Sequence, residues 1–157
     1  MTAEEKGQAK VFSTRVFPSF MSLLPISVVA PSVALVVLPF MSDLAAIAIG
    51  FVVTAAIYSA VLLKSPVVSL SSGNSAELRV GRALIPVKFV GNVEVVTAEA
   101  LRFEKGPGLK ANAYFVNQAG AKKFVKVTVN DVNDPTPYWL FACNKAEDLV
   151  VALRANR

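Results

Sequence analysis

Histidine is absent from the 157 residues of the chain, and cysteine occurs once, at Cys143. A chain without histidine cannot form a Ser-His-Asp triad or a Cys-His pair, and it has no imidazole to bind zinc, haem or copper. One cysteine forms no intramolecular disulfide and cannot hold an iron–sulfur cluster or a zinc finger. These absences predict a protein with no metal and no cofactor, in a reducing compartment where an unpaired thiol persists.

Signs of phosphate or carboxylate chemistry are also scarce. The segment "GPGLKAN" (106–112) lacks the Gly-Lys-Ser/Thr ending of a Walker loop. Glu94, Glu99 and Glu104 could line a cleft, but carboxylates in such a pattern are far more often solvated at the surface. We therefore expect no enzymatic activity, and an unrecognised carboxylate site is the weakest alternative.

Charged residues are few, and their distribution is uneven. They make up 17 % of the chain, and none occurs in 16–42 or in 44–63. A helix needs about 20 apolar residues to cross a hydrocarbon core of about 30 Å, and each of the two apolar segments is that long. A buried helix of a soluble protein is one alternative, and a cleaved signal peptide is another. The second is disfavoured because the first segment is too long and no A-x-A site follows it.

The sequence thus divides into a cytoplasmic N-terminal tail (1–19), two transmembrane helices (20–40 and 44–63) and a cytoplasmic β-rich domain with a C-terminal helix (65–157). Asp43 is the only charged residue between the helices. The positive-inside rule therefore predicts a multi-pass protein of the cell membrane with both termini in the cytoplasm. The basic residues that flank the helices are Lys6, Lys10, Arg15 and Lys64.

The two apolar segments differ in composition. Proline at positions 18, 25, 31 and 39 predicts a bent first helix, in which the hydroxyls of Ser22 and Ser27 bond nearby carbonyls. In the second helix, Ala46, Gly50 and Thr54 stand four residues apart and form a small-xxx-small face. That face is a candidate helix-packing interface, either with the first helix or with another membrane protein. Neither span contains an ionisable residue, which disfavours a pump or a transporter.

Residues 65–157 carry 12 basic and 8 acidic residues. Short runs rich in β-branched and aromatic residues predict strands, and "TAEALRFEKG" (97–106) predicts a short helix. Asn144, with Glu147 three residues on, predicts a capping box for a C-terminal helix whose apolar stripe is Leu149, Val150 and Leu153. The predicted fold class is a membrane α-helical hairpin with a small α+β cytoplasmic module. Its sheet closed by a C-terminal helix is pleckstrin-homology-like in outline, an analogy that implies no ligand.

The stretch "DPTPYWLF" (134–141) holds two prolines and the only tryptophan. The prolines keep the chain extended, so Tyr138–Cys143 is predicted to be a strand with a stiff start. Its side chains Tyr138, Trp139 and Phe141 are a candidate domain interface. Trp139 is either a core residue or an anchor for a partner.

Five lysines are candidate contacts for anionic lipid headgroups. The alternative is a solvated basic face. Nucleic-acid binding is not expected, because the basic residues are not clustered with stacking aromatics. The five are Lys105, Lys110, Lys122, Lys123 and Lys126.

Two segments, "ELRVGRALIPVKFVGNVE" (77–94) and "DPTPYWLFACNKAEDLVVAL" (134–153), resemble an actinobacterial family of small two-helix membrane proteins of unknown function. Proteins of this architecture are also similar to the supercomplex association factor, an accessory subunit of the cytochrome bcc–aa3 respiratory supercomplex. The resemblance implies a non-catalytic membrane subunit whose partners are other integral membrane subunits and membrane lipids. The alternative is a membrane-anchored adaptor whose basic domain binds anionic lipid or a cytoplasmic partner.

Overall fold

The computed structural model describes residues 10–73 and 76–156. The chain forms two compact units. The helical unit is the continuous segment Phe17–Ser65, and the sheet unit combines the described residues 10–16 with those of 66–73 and 76–156. Two apolar helical segments and a sheet-rich region are therefore present, as the sequence predicted.

The first apolar segment is a broken helix. Helix α1 (Phe20–Ser27) and helix α2 (Val29–Val37) are separated at Val28, and a 3-10 turn (Leu38–Phe40) follows. Pro25 lies inside α1, and proline removes a backbone hydrogen bond and crowds the preceding turn. The hydroxyl of Ser27 donates to the carbonyl oxygen of Leu24 at 2.6 Å, and that of Ser22 donates to Ser19 at 2.6 Å. The predicted hydroxyl bonds are confirmed, and the helix is interrupted at Val28.

The second apolar segment is one uninterrupted helix, α3 (Asp43–Leu63). It contains no proline and is composed almost entirely of apolar and small residues. Asp43 occupies its first turn, where a negative charge is favourable near the helix N-terminus.

The first sheet of the sheet unit is antiparallel, with strands in the order β1-β2-β3-β4. Alternation along the strands turns Val68 and Leu70 inward, as expected for a half-buried sheet. Gly81 has a φ of +60°, a left-handed conformation that glycine accepts without strain, at the turn between the last two strands. The strands are β1 (Lys10–Arg15), β2 (Val67–Ser71), β3 (Glu77–Val80) and β4 (Ala83–Pro86).

The second sheet has the strand order β5-β7-β8-β6. The pairs β5–β7 and β7–β8 are antiparallel, whereas β6 runs parallel to β8. A 3-10 turn (Val87–Phe89) after Pro86 divides β4 from β5. The strands are β5 (Val90–Val96), β6 (Tyr114–Val116), β7 (Phe124–Val129) and β8 (Tyr138–Ala142).

Two helices complete the sheet unit. Helix α4 (Ala98–Glu104) begins at Thr97, whose side chain accepts a hydrogen bond from the Ala100 amide, and it confirms the predicted short helix. Helix α5 (Ala146–Ala155) buries the predicted stripe of Leu149, Val150 and Leu153. It packs against β5, β1 and β2, so it covers strands of both sheets.

The predicted capping box of α5 is wrong. The cap position is Lys145, one residue later than predicted, and no side chain caps the helix. The Glu147 carboxylate accepts hydrogen bonds from the Lys123 ammonium at 2.8 and 3.0 Å instead. A long-range ion pair has replaced the local bond that the spacing suggested.

Strand β1 was not predicted. It lies within the segment 1–19, which the sequence analysis treated as a tail, and it pairs antiparallel with β2. Val16, directly after it, is fully buried. Its amide donates to the Pro66 carbonyl oxygen at 2.9 Å and extends the ladder. The helical unit is therefore inserted in the sequence between two paired strands of one sheet.

Candidate interaction surfaces

The small-residue face of α3 packs within the helical unit. Ala46, Gly50 and Thr54 are its only buried residues. A Cβ atom at Gly50 would collide with the carbonyl oxygen of Ala30, so the backbones of α2 and α3 approach each other closely at this point. Of the two alternatives for this face, the structure supports packing against the first apolar segment.

Two hydroxyl groups add polar contacts to this packing. Thr54 donates to the Gly50 carbonyl oxygen at 2.9 Å, within its own helix. The Tyr58 hydroxyl donates to the carbonyl oxygen of Leu23 at 3.0 Å and so connects α3 to α1. Leu23 lies two residues before Pro25, so this bond joins the two apolar segments close to the proline.

The remaining surface of the helical unit is apolar. Most of its large side chains are exposed, including Phe20 (74 %) and Phe51 (66 %). A groove of about 410 Å³ lies on this surface, and almost only apolar atoms line it. Sequence reasoning missed this groove, because its lining comes from two segments, 30–38 and 47–51, that meet only in the folded unit. Its lining residues are Ala30, Pro31, Ala34, Leu35, Leu38, Ile47 and Phe51.

The "DPTPYWLF" stretch is mainly core. Strand β8 lies between β7 and β6, and all five of its residues are buried. Trp139 is 4 % exposed, and its ring lies 4.9 Å from that of Tyr114 on the neighbouring strand β6. Phe141 is fully buried. The partner-anchor alternative for Trp139 is not supported, because within the sheet unit its side chain is covered.

Tyr138 fixes the loop that follows α4. Its hydroxyl accepts a hydrogen bond from the Lys110 amide at 2.9 Å and donates to the Gly108 carbonyl oxygen at 3.0 Å. At the start of the stretch, the Asp134 carboxylate accepts a hydrogen bond from the Thr136 amide at 2.9 Å. Hydrogen bonds from the side chain and the backbone of Thr136 lower the pKa of Asp134. The Asp134 contact is local, whereas the Tyr138 hydrogen bonds join segments 28 and 30 residues apart in the chain.

Three of the five lysines have partners within the sheet unit. Lys126 pairs with Glu104 at 2.7 Å and is only 21 % exposed, and its ammonium also lies 4.8 Å from the centre of the Tyr138 ring. Lys123 pairs with Glu147, whose carboxyl pKa is lowered by this hydrogen bond. The ammonium of Lys105 lies over the ring of Phe124.

Lys110 and Lys122 complete the set. Both are exposed, and neither forms an ion pair with any residue in 10–73 or 76–156. The predicted basic surface is thus reduced by two ion pairs, and these two lysines are its most available charges.

A polar groove that sequence reasoning missed lies in the sheet unit. It has a volume of about 850 Å³. The buried residues Val87 and Val90 form part of its floor, and its lining includes one acidic residue (Glu77) and one basic residue (Lys88). The other lining residues are Gly73, Ala76, Pro86, Gly91, Asn92, Asn130 and Asn156.

Gly91 allows the close packing on which this groove depends. A Cβ atom there would lie 2.7 Å from Oδ1 of Asn130 and would collide with the Thr128 hydroxyl. The register between β5 and β7 is irregular between Val90 and Val93, so Gly91 and Asn92 lie in a bulge. Bulges re-aim side chains and are frequent beside functional sites. The Gly-Asn pair at 91–92 was the available signal in the sequence.

The one cysteine is poorly suited to catalysis. Cys143 is fully buried, and burial raises the pKa of its thiol to about 11, so the thiolate is scarce at neutral pH. Glu104 is neutralised by its ion pair with Lys126, which lies opposite Glu94 in the β5–β7 ladder. Among residues 10–73 and 76–156, no group of three acidic or cysteine side chains is placed to hold a metal ion.

These features define a class of protein: two apolar helical segments held together by small residues and joined to a two-sheet unit with a C-terminal helix. The family model described as "Protein of unknown function (DUF3093)" matches residues 11–153, and the chain belongs to that family. No curated protein and no solved structure matches the chain.

Proposed function

We propose that the helical unit is a membrane-spanning hairpin. The segments Phe20–Phe40 and Asp43–Leu63 each have 21 residues and a mean hydropathy of 2.3. A core helix of a soluble protein would be mostly buried, but in the most apolar part of each segment the buried share is 0 % and 17 %. Large side chains such as Phe20 and Phe51 would be costly in water and favourable in lipid.

The pairing of β1 with β2 supports this proposal and its topology. If the first apolar segment were a cleaved signal peptide, cleavage would remove β1. This strand forms an edge of the first sheet, so its pairing with β2 disfavours cleavage. Strands of one sheet lie on one side of a membrane, so the hairpin crosses twice and returns. The positive flanks then favour the cytoplasmic side for both termini.

The function that this architecture supports best is that of a non-catalytic accessory or assembly subunit, which binds and stabilises a larger membrane complex. The observation that carries the proposal is the contrast between the two surfaces of the helical unit. The small-residue face of α3 is buried by packing within the helical unit, while the apolar surface that carries the groove remains exposed. Helix association in membranes depends on such shape complementarity.

The specific candidate complex is the cytochrome bcc–aa3 supercomplex of actinobacteria. This candidate rests on the resemblance of 77–94 and 134–153 and on the two-helix architecture. The chain has no histidine with which to ligate haem or copper, so its role there would be to hold subunits together rather than to carry electrons. The pleckstrin-homology-like comparison of the sheet unit rests on its two sheets and the helix α5, and it adds no ligand.

Affinity purification of the tagged full chain in mild detergent, followed by mass spectrometry, tests the proposal. We expect the same set of integral membrane subunits in a fixed ratio to the chain. The matched variant replaces Leu35, an exposed residue of the apolar groove, with the bulky residue tryptophan (Leu35→Trp), and it should reduce this ratio. Val52→Trp, at an exposed position outside the groove, is the control. A chain that purifies alone in several mild detergents would contradict the proposal.

The second candidate function is an adaptor that binds anionic lipid through the sheet unit. Lys110 and Lys122 favour it, because both are exposed and neither is consumed by an ion pair in the described part of the chain. Liposome flotation with and without phosphatidylserine tests it. Retention that requires the anionic lipid and falls in a Lys110→Ser, Lys122→Ser double variant would favour this function over the first.

A further inference from the structure

The polar groove of the sheet unit has the properties of a binding site for an extended polypeptide segment. It is bounded by the end of the first sheet at Glu77 and Pro86, by the start of β5 at Val90–Asn92, and by Asn156 after α5. Strands β4 and β5 are each an edge strand of their sheet. The groove therefore follows the chain where it passes from one sheet edge to the other.

The shape of the groove argues against a small molecule. A site for a small ligand usually encloses most of the ligand surface. Here Lys88, Asn92 and Asn130 are all exposed, although the volume is about 850 Å³. A ligand in such an open groove would remain partly in water. A polypeptide that lies along the groove and continues beyond both ends does not need enclosure.

The chemistry of the lining matches a peptide backbone. A carboxamide presents both a donor and an acceptor, as a peptide group does, and the groove has three, at Asn92, Asn130 and Asn156. The Asn156 side chain donates to the carbonyl oxygen of Ala152 at 2.8 Å, which holds it in place. The Asn130 carboxamide lies beside Gly91, where a Cβ atom would crowd it.

The charged residues and the valines that line the groove restrict the chemical class of its ligand. Among the described residues that line the groove, one is acidic and one is basic, so this lining lacks the basic excess that nucleic acids or phosphates require. The valines of the floor provide apolar contact for alternate side chains of an extended segment. Addition of a peptide at a sheet edge combines these elements, with backbone hydrogen bonds for affinity and side-chain contacts for specificity.

We propose that this groove binds an extended, uncharged or mixed-charge segment of a partner subunit, so that the chain holds its complex through the sheet unit as well as through the helices. This inference rests on the proposed accessory function and identifies a second contact with the same complex. Gly91 and the three asparagines are its specificity-determining residues.

Site-specific photo-crosslinking of the full chain in the cells that produce it tests the inference. The photoreactive residue p-benzoylphenylalanine is introduced at position 92, in the groove, or at position 99, an exposed position of α4 outside it. We expect a protein adduct at 92 that is absent at 99 and maps to one continuous stretch of a co-purifying subunit. A synthetic peptide of that stretch should bind the purified full chain. Asn130→Ala should weaken it by about tenfold, as expected for the loss of a pair of neutral hydrogen bonds.

Asn133→Ala is the matched control, because Asn133 is an exposed asparagine outside the groove, and it should bind the peptide as the parent does. The inference is overturned if position 92 gives no protein adduct, if it reacts with lipid or with a second copy of this chain, or if the peptide binds the Asn130→Ala variant unchanged. Subunit composition is measured in the same preparations. An intact complex without an adduct at 92 refutes only the groove, whereas a chain that purifies alone refutes the proposed function.

Discussion

The backbone amide of Val16 and the carbonyl oxygen of Pro66 form a hydrogen bond of 2.9 Å, and these residues flank the whole helical unit in sequence. The ladder continues with Arg15 opposite Val67. The chain therefore leaves the sheet unit and returns to it at neighbouring points. A hairpin that crosses a membrane twice satisfies this constraint, and a single crossing does not.

Residue 42, in the connection between the helices, is predicted to be accessible from outside intact cells. Ser42 is exposed and its side chain makes no capping bond, so Ser42→Cys should not disturb α3. A membrane-impermeant maleimide should label it in intact cells. Val132→Cys, fully exposed in the sheet unit, should react only after permeabilisation. The native Cys143 is buried and gives little background. Labelling of the two positions in the reverse order would contradict the orientation.

Substitution of Gly50 should separate the helices. Any side chain at this position collides with the Ala30 carbonyl oxygen, so Gly50→Leu forces α2 away from α3. In detergent, we expect a lower melting temperature for the helical circular-dichroism signal. Val52→Leu, at an exposed position of the same helix, should leave it unchanged. Equal melting of both variants would show that the close contact at Gly50 does not stabilise the hairpin.

Truncation of the tryptophan side chain should destabilise the sheet unit. Trp139 lies in the central strand β8 at 4 % exposure, so Trp139→Ala leaves a cavity and should cost about 3–5 kcal/mol of unfolding free energy. Chemical denaturation followed by circular dichroism measures it. The full chain must be used, because a fragment from residue 65 lacks β1. Val151→Ala, at an exposed position of α5, is the control. A Trp139→Ala protein of parental stability that has lost its complex would restore the partner-anchor hypothesis.

Local patterns in the sequence predicted the elements whose structure depends on local contacts. Runs without charge predicted the two apolar helical segments, and the 3.6-residue period of Leu149, Val150 and Leu153 predicted the buried face of α5. Proline spacing predicted the broken first helix. In each of these cases a window of roughly 20 residues holds the whole signal.

Features that depend on distant partners were not predictable. Strand β1 is polar and alternates weakly, and it is a strand because β2, more than 50 residues later, pairs with it. Glu147 does not form the predicted capping bond, because its carboxylate pairs with Lys123, 24 residues earlier in the chain. The residues that line the polar groove are spread over positions 73 to 156. Only the neighbouring pair Gly91-Asn92 indicated it within a short stretch of sequence.

Two lysines with the same kind of partner should differ in their effect on stability. Lys126 and Glu104 are 21 % and 19 % exposed, so Lys126→Ala leaves a mostly buried carboxylate without its partner and should cost about 1.5–3 kcal/mol. Lys123 and Glu147 are 51 % and 59 % exposed, and Lys123→Ala should have little effect because solvent screens this pair. Equilibrium urea denaturation compares the two. Equal losses would mean that burial does not decide the strength of these pairs.

The thiol of Cys143 should resist alkylation while the protein is folded. Burial raises its pKa from 9.0 to about 11, so the folded state retains this proton where the unfolded chain loses it. The resulting stabilisation is fully present below about pH 9 and is lost as the pH rises through about 11. Iodoacetamide at pH 8 should react slowly with the native chain and rapidly in urea. An exposed thiol in the Val132→Cys, Cys143→Ala variant should react rapidly in both conditions. Rapid reaction of Cys143 in a chain that is still folded by circular dichroism would contradict its burial beneath α5.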